Sequence, residues 1–282
     1  MTPTPRFLLA NRFRAAFALR VLLLALLVFA TACKKTEAPA PAAMAAKAET
    51  LVVFAAASLR ESFTAMGEDF KRTHAGLQIT FNFAGTQELR TQVEQGAAVD
   101  VFASADQRHM QELVRAGQLA EPATFARNEP VIVVSREAAS SVHALADLAN
   151  TQRLVIGSPE VPIGRYTLQI LDRAAPSLGA GFRSKVEAHV VSRELNVRQV
   201  LTKVKLGEAQ AGIVYRTDAQ TTPDLAVVPI AADINVIAEY PIAVAVKAPH
   251  PSVGREWVTY VRSAAGQAAL ARAGFLPPIS PN

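Results

Sequence analysis

From Leu51 onward, short apolar runs alternate with longer stretches whose apolar residues recur every three or four positions. Leu51 to Phe54 reads as a strand, and Ala55-Ala56-Ala57 keeps the turn after it narrow. Leu59, Phe63, Met66 and Phe70 then lie at helical spacing toward Thr73, with Gly76 as the stop. Leu77, Ile79, Phe81 and Phe83 alternate with Gln78, Thr80 and Asn82, which predicts a strand ending at Ala84-Gly85-Thr86. A helix through Leu89 and Val93 follows and stops at Gly96. A third unit repeats the pattern, with a strand from Val99 to Ala103 and a helix from Asp106 to Ala116, closed by Gly117.

Pro130 precedes Val131 to Val134, a run with no polar alternation, as in a buried strand. A strand over Leu154 to Gly157 leads through Ser158-Pro159-Glu160-Val161 to Pro162, which suits the first turn of a helix, and Tyr166, Ile170 and Leu171 face inward along it. A strand over Ala188 to Val191 leads to Asn196, a helix cap, with Val197, Val200, Leu201 and Val204 inward and Gly207 as the stop. Strands follow at Ala211 to Val214, Leu225 to Ile230 and Ile242 to Val246. The end is helical, with Val253, Trp257, Val258 and Val261 on one face and a last short helix closing at Gly274.

Such alternation is the signature of α/β lobes with largely parallel sheets, in which ligands bind beyond the carboxyl ends of strands. Four helix starts and one tyrosine stand at such ends. Ser58, three residues before Glu61, has capping-box spacing, and Thr86 is a second hydroxyl residue at a helix start. The free N–H groups of a helix start and its dipole attract an anion, and a hydroxyl can donate one more hydrogen bond. Ile163 and Val197 stand at two further starts, and Tyr215 ends a strand. Each also has a plain structural role: Ser58 and Thr86 as caps, Tyr215 as a half-buried core tyrosine. Asp100 and Asp106, at a strand start and a helix start, read as structural rather than as a metal or acid/base pair.

Composition matters mainly at the ends. Arg6, Arg12, Arg14 and Arg20 precede the apolar run Val21 to Ala30 and Ala30-Thr31-Ala32-Cys33. The run is shorter than the roughly 20 residues of a membrane span, so residues 1–33 read as an export signal. Cys33, the only cysteine, excludes an internal disulfide and resembles a lipoprotein attachment site. Ala30 stands where leucine is usual, so cleavage without lipidation is the alternative. Residues 34–49 are alanine, proline and charge without periodicity, a solvated tether. Of 29 basic and 24 acidic residues, 7 and 2 lie before Thr50, so the remainder balances at 22 each, and the net charge of +5 belongs to the leader and tether. No basic stripe points to nucleic acid. The chain has no G-x-S-x-G, H-E-x-x-H or phosphate-binding G-x-x-x-x-G-K motif, and its histidines (His74, His109, His143, His189, His250) are scattered, which argues against an enzyme.

The segments FAAASL, FNFAGTQELRTQVEQGAAVDVFASADQ, SPEVPIGRY, ELNVRQVL and AGIVYRTDA, in this order and spacing, resemble the molybdate-binding proteins of molybdate ABC transporters, a branch of the type II periplasmic binding proteins. The resemblance covers essentially everything after residue 50. It implies two α/β lobes of mostly parallel sheets joined by two crossing strands, one lobe of residues 50–130 and 240–282 and the other of 131–239, with Pro130 and Pro241 marking the crossings. It also implies an oxyanion held between the lobes by Ser58 and Thr86 from the first and Ile163, Val197 and Tyr215 from the second. Ile163 and Val197 would act through backbone N–H groups. Thr86 stands where serine is usual and Ile163 where a small residue is common. Glu160 and Glu194 fall near the site, and some tungstate-binding relatives use carboxylates as direct metal ligands.

The implied function is extracytoplasmic capture of molybdate, and of tungstate with it, for delivery to a permease. It needs no catalytic residue and no cofactor, the receptor working as a monomer that meets the membrane only through a lipid on Cys33. The alternatives are a receptor for another oxyanion such as sulfate, or an oxyanion-sensing lipoprotein with no transport role. Five to eight charge-assisted hydrogen bonds of about 1.5–3 kcal/mol each, less desolvation, correspond to roughly micromolar to nanomolar affinity without any arginine. A site made only of donors rejects phosphate, which keeps a proton near neutral pH, but separates molybdate from sulfate by cavity size alone.

Overall fold

Thr50–Ala56 forms strand β1 in the computed structural model, which describes residues 49–279. The export signal, Cys33 and the tether lie outside the described residues. After β1 comes a 3₁₀ turn, Ala57–Leu59, and then α1, Arg60–Lys71. β2 (Gln78–Ala84), α2 (Thr86–Glu94), β3 (Val101–Ala103) and α3 (Gln107–Arg115) follow the predicted alternation. Glycines at the expected stops, Gly76, Gly96, Gly117, Gly207 and Gly274, all have positive φ, the conformation that a residue with no Cβ adopts freely after a helix.

β4 (Leu119–Asn128) has no counterpart in the hydrophobic pattern. It carries Glu121 at φ 50° and Pro122, and it is the edge strand of its sheet, the place where a missing N–H is tolerated. β5 (Pro130–Val134) follows after the single residue Glu129. The chain then builds β6 (Leu154–Gly157), α4 (Pro162–Leu178), α5 (Phe182–Ala188), β7 (Val190–Glu194), α6 (Val197–Lys205), β8 (Ala211–Tyr215) and β9 (Ala226–Pro229). α5, which the pattern did not reveal, occupies the end of the loop before β7. β10 (Ala238–Ala245), α7 (Pro251–Arg262) and α8 (Ala264–Arg272) complete the described chain.

Two five-stranded sheets result, ordered β2-β1-β3-β10-β4 and β7-β6-β8-β5-β9. Both are mixed. β1 is parallel to β2 and β3, and β10 runs antiparallel to β3 and β4. In the second sheet β6 is parallel to β7 and β8, and β5 runs antiparallel to β8 and β9. Each sheet therefore has a single reversed strand, and in each that strand is the one reached by passing from the other sheet. Pro241 lies inside β10 at a register shift against β4, so the return passage comes earlier, between Pro229 and Ala238.

The first sheet is buried on both faces, with Phe63, Met66, Phe125 and Trp257 on one and Phe54, Leu89, Phe102, Met110 and Leu113 on the other. This explains why β1 and β3 read as unbroken apolar runs. Among the described residues no helix is long and apolar enough to cross a membrane.

Candidate functional site

The corners read from the sequence converge. Ser58, Thr86, Ile163, Val197 and Tyr215 all line one cavity of about 20 Å³. Ala56, Ala57, Ala84, Gly85, Ala105, Val161, Pro162 and Asn196 complete the wall, and among the described residues no charged side chain is part of it. Glu160 and Glu194 do not line it either: Glu160 pairs with Arg108 at the surface, and Glu194 with Lys203 at 2.8 Å.

Local structure differs from expectation at two corners. Ser58 sits within the 3₁₀ turn, so Leu59 rather than Ser58 precedes α1, and no capping box with Glu61 forms. The Ser58 hydroxyl is instead 2.9 Å from the Tyr240 phenol, a buried contact that a local pattern cannot foresee. At the second corner the N-cap is Gly85, whose N–H is taken by the Glu88 carboxylate at 2.9 Å, and Thr86 is the first helical residue. Thr86 Oγ1 accepts a hydrogen bond from the Ala105 N–H at 3.2 Å. That acceptor role leaves the hydroxyl hydrogen free to point elsewhere.

Ile163 follows Pro162, the first residue of α4, and Val197 is the first residue of α6, so neither helix supplies an acceptor for their N–H groups. Asn196 caps α6 as expected, its side chain accepting from the Gln199 N–H at 3.1 Å. Tyr215 is 1% exposed, and its phenol oxygen has no hydrogen-bond partner among the described residues. Burial, reinforced by Tyr240, Tyr166 and nearby carboxylates, pushes this phenol well above its ordinary range, so it keeps its hydrogen. The wall thus presents hydroxyl, phenol and backbone donors and no cation.

Cations do lie close by, each neutralised. Arg165 pairs at 2.9 Å with Asp106, the buried cap of α3. Arg198 is shared between Glu61 and Asp218, the latter at 2.7 Å. Both arginines come from the second-sheet half, and Asp106 and Glu61 from the first. Gln87 donates to the Leu195 carbonyl at 2.7 Å, and His109, kept neutral by burial, donates through Nε2 to the Glu160 carbonyl at 2.9 Å. These contacts also join the two halves around the cavity. Sequence reading missed all of these pairs, as well as Gly85 and Tyr240. Only Gly85 left a trace, as a glycine between a strand and a helix.

Burial pushes the Asp218 carboxyl up to about 7, against the pull of Arg198. The folded chain therefore keeps a proton that the unfolded chain, with an ordinary value of 3.8, releases. Stability tied to that proton is complete below 3.8 and is lost as pH rises through 7. Asp218→Asn should accordingly gain on the unmutated protein in urea-unfolding midpoint between about pH 4 and about pH 8. A constant difference across that range would show the carboxylate ionised throughout.

A family model for bacterial extracellular solute-binding proteins matches residues 51–276. The molybdate-binding protein ModA of Mycobacterium tuberculosis is 38% identical over 246 residues, 86% of this chain and 90% of that protein. A Bacillus subtilis protein, YvgL, whose name describes an ABC transporter substrate-binding lipoprotein, is 30% identical over 233 residues, 81% of this chain and 87% of its own. Among solved structures, the periplasmic molybdate-binding protein of Azotobacter vinelandii superposes with a TM-score of 0.71 at 17% identity, over 81% of this chain and 99% of that one, which is a likeness of fold.

Proposed function

The chain belongs to the bacterial extracellular solute-binding protein family, and from that premise we propose that it captures molybdate outside the cytoplasm, holds it in the cavity between its two sheets, and delivers it to the permease of an ABC transporter. It is a transport component and not an enzyme. The observation that carries the reading is the meeting of five separate corners on one uncharged, donor-lined cavity. A doubly charged tetrahedral anion suits such a wall, because every oxygen can accept and none has to donate.

In this proposal Ser58, Thr86 and Tyr215 donate through side chains, and Ile163 and Val197 through backbone N–H groups. Residues 50–130 with 240–282, and 131–239, act as the two lobes. Tungstate, of the same charge and shape, binds with molybdate. Cys33 carries a lipid that holds a monomeric receptor at the cell envelope, as the lipoprotein name of the Bacillus relative also suggests.

Calorimetric titration of the purified protein with molybdate, tungstate, sulfate and phosphate tests the proposal. Molybdate and tungstate are expected to bind tightly, and phosphate not at all. Preference for sulfate, or heat from none of the four, would overturn it. Ser58→Ala and Thr86→Ala should each weaken molybdate binding by about 1–3 kcal/mol with the fold intact. Unchanged affinity in both would reduce those residues to structural roles.

A further inference from the structure

Ser58 carries one hydroxyl hydrogen, and its use as a donor depends on what faces its oxygen. The facing group is the phenol of Tyr240, 2.9 Å away, on a side chain with no exposed surface. Either oxygen could donate in that pair taken alone. The surroundings decide. Asn128 is equally buried, and its Oδ1 accepts from the Glu129 N–H at 3.0 Å, which fixes which end of the amide is nitrogen. Its Nδ2 donates to Thr217 Oγ1 at 2.8 Å and stands 3.5 Å from the Tyr240 oxygen.

An amide nitrogen can only donate, so the Tyr240 oxygen is an acceptor on that side. Among the described residues its own hydrogen then has one hydrogen-bond partner left, the Ser58 oxygen. The ring cannot swing to another, because Phe125, Tyr215 and Phe275 pack edge-on around it with centroids 6.4, 5.8 and 5.4 Å away. Burial keeps the phenol protonated. Were Ser58 to donate to Tyr240 instead, the phenol hydrogen would have to face the amide hydrogens of Asn128.

We infer that Tyr240, oriented by Asn128, is a positioning residue that occupies the acceptor side of the Ser58 hydroxyl and thereby commits its hydrogen to the cavity. This rests on the reading of Ser58 as an oxyanion donor. The ligand class it favours is narrower than tetrahedral anions in general. With its hydrogen directed into the cavity and one of its two acceptor positions taken by Tyr240, Ser58 favours an oxyanion oxygen that offers a lone pair, so fully deprotonated species are preferred over those that retain a proton. Thr86 is committed in the same sense by the Ala105 N–H, so the two hydroxyls of the first-sheet half act alike. The chain of hydrogen bonds behind Ser58 begins at Asn128, the last residue of β4, and passes through β10, so the two strands flanking the passages between sheets set the donor.

The test is a double-mutant cycle on the full chain, with molybdate and phosphate titrated calorimetrically into the unmutated protein, Tyr240→Phe, Ser58→Ala and the double variant. Thermal unfolding of each ligand-free protein checks the fold. Tyr240→Phe is expected to weaken molybdate binding about 5- to 20-fold when Ser58 is present and by less than about twofold in the Ser58→Ala background. It should also narrow the preference for molybdate over phosphate, because a released Ser58 can accept as well as donate. A mere packing role would weaken binding equally in both backgrounds and leave the preference unchanged, and either result would overturn the inference. Molybdate bound equally well by Tyr240→Phe and the unmutated protein would overturn it while leaving the proposed function standing. No oxyanion binding by the unmutated protein would overturn both.

Discussion

Gly85→Ala is expected to lower molybdate affinity by about 10- to 100-fold while leaving the ligand-free protein folded, measured by calorimetry beside thermal unfolding. A Cβ built at Gly85 would lie 2.3 Å from the backbone oxygen of Leu195, which belongs to the other half of the molecule. The backbone at Gly85, at φ −61° and ψ 138°, is open to any residue, so conformation does not demand glycine here. Close approach does. The carbonyl cannot rotate away as a side chain would, so the two halves must separate locally, and the donors on opposite walls can no longer all reach one anion. Alanine is also a poorer helix cap than glycine. Gly85→Ser separates the two effects, since it restores the cap and keeps the obstruction. Serine binding as tightly as glycine would show that the halves do not need this approach.

Tyr215→Phe should move stability and binding in opposite directions. The phenol oxygen is buried without a hydrogen-bond partner among the described residues, an arrangement that destabilises a fold by about 1–3 kcal/mol. Removing it should raise the melting temperature of the ligand-free protein or leave it unchanged. On the proposed function the same change also deletes a hydrogen bond to a charged acceptor, and affinity for molybdate should fall by about 1.5–3 kcal/mol, or roughly 10- to 150-fold. A core tyrosine with no ligand role would show the gain in stability without the loss of affinity. A fall in both quantities would point instead to a structural partner for the phenol.

Much of this architecture was legible in the chain because its signals are local. A period of two over Leu77 to Phe83, apolar residues every three or four positions over Leu59 to Phe70, and glycines at helix ends require no knowledge of what packs against them. The corners were legible for the same reason, since hydroxyl residues and a proline at strand-to-helix joins mark helix starts wherever they fall. Features set by distant partners were not. Ser58 has capping-box spacing to Glu61, yet its oxygen is claimed by Tyr240 and the Glu61 carboxylate by Arg198. β4 lacks any alternation because an edge strand tolerates proline and charge that an interior strand would reject. Gly85 reads as a turn glycine, whereas its reason lies 110 residues away along the chain, at Leu195.

Hydroxyls, a phenol held well above its usual range and backbone amides do not change protonation near neutral pH, so the cavity wall itself contains no proton switch, and the titration of Asp218 acts behind it, at Arg198. Neither is there a lysine or arginine in the wall whose attraction a rise in salt would screen. On the proposed function, an anion held by this wall is therefore released by moving the walls apart. Unloading at a permease is on this account mechanical, with the work done on Arg165–Asp106, Arg198–Glu61 and Gln87–Leu195, and the chemistry of the anion's own contacts left as it was.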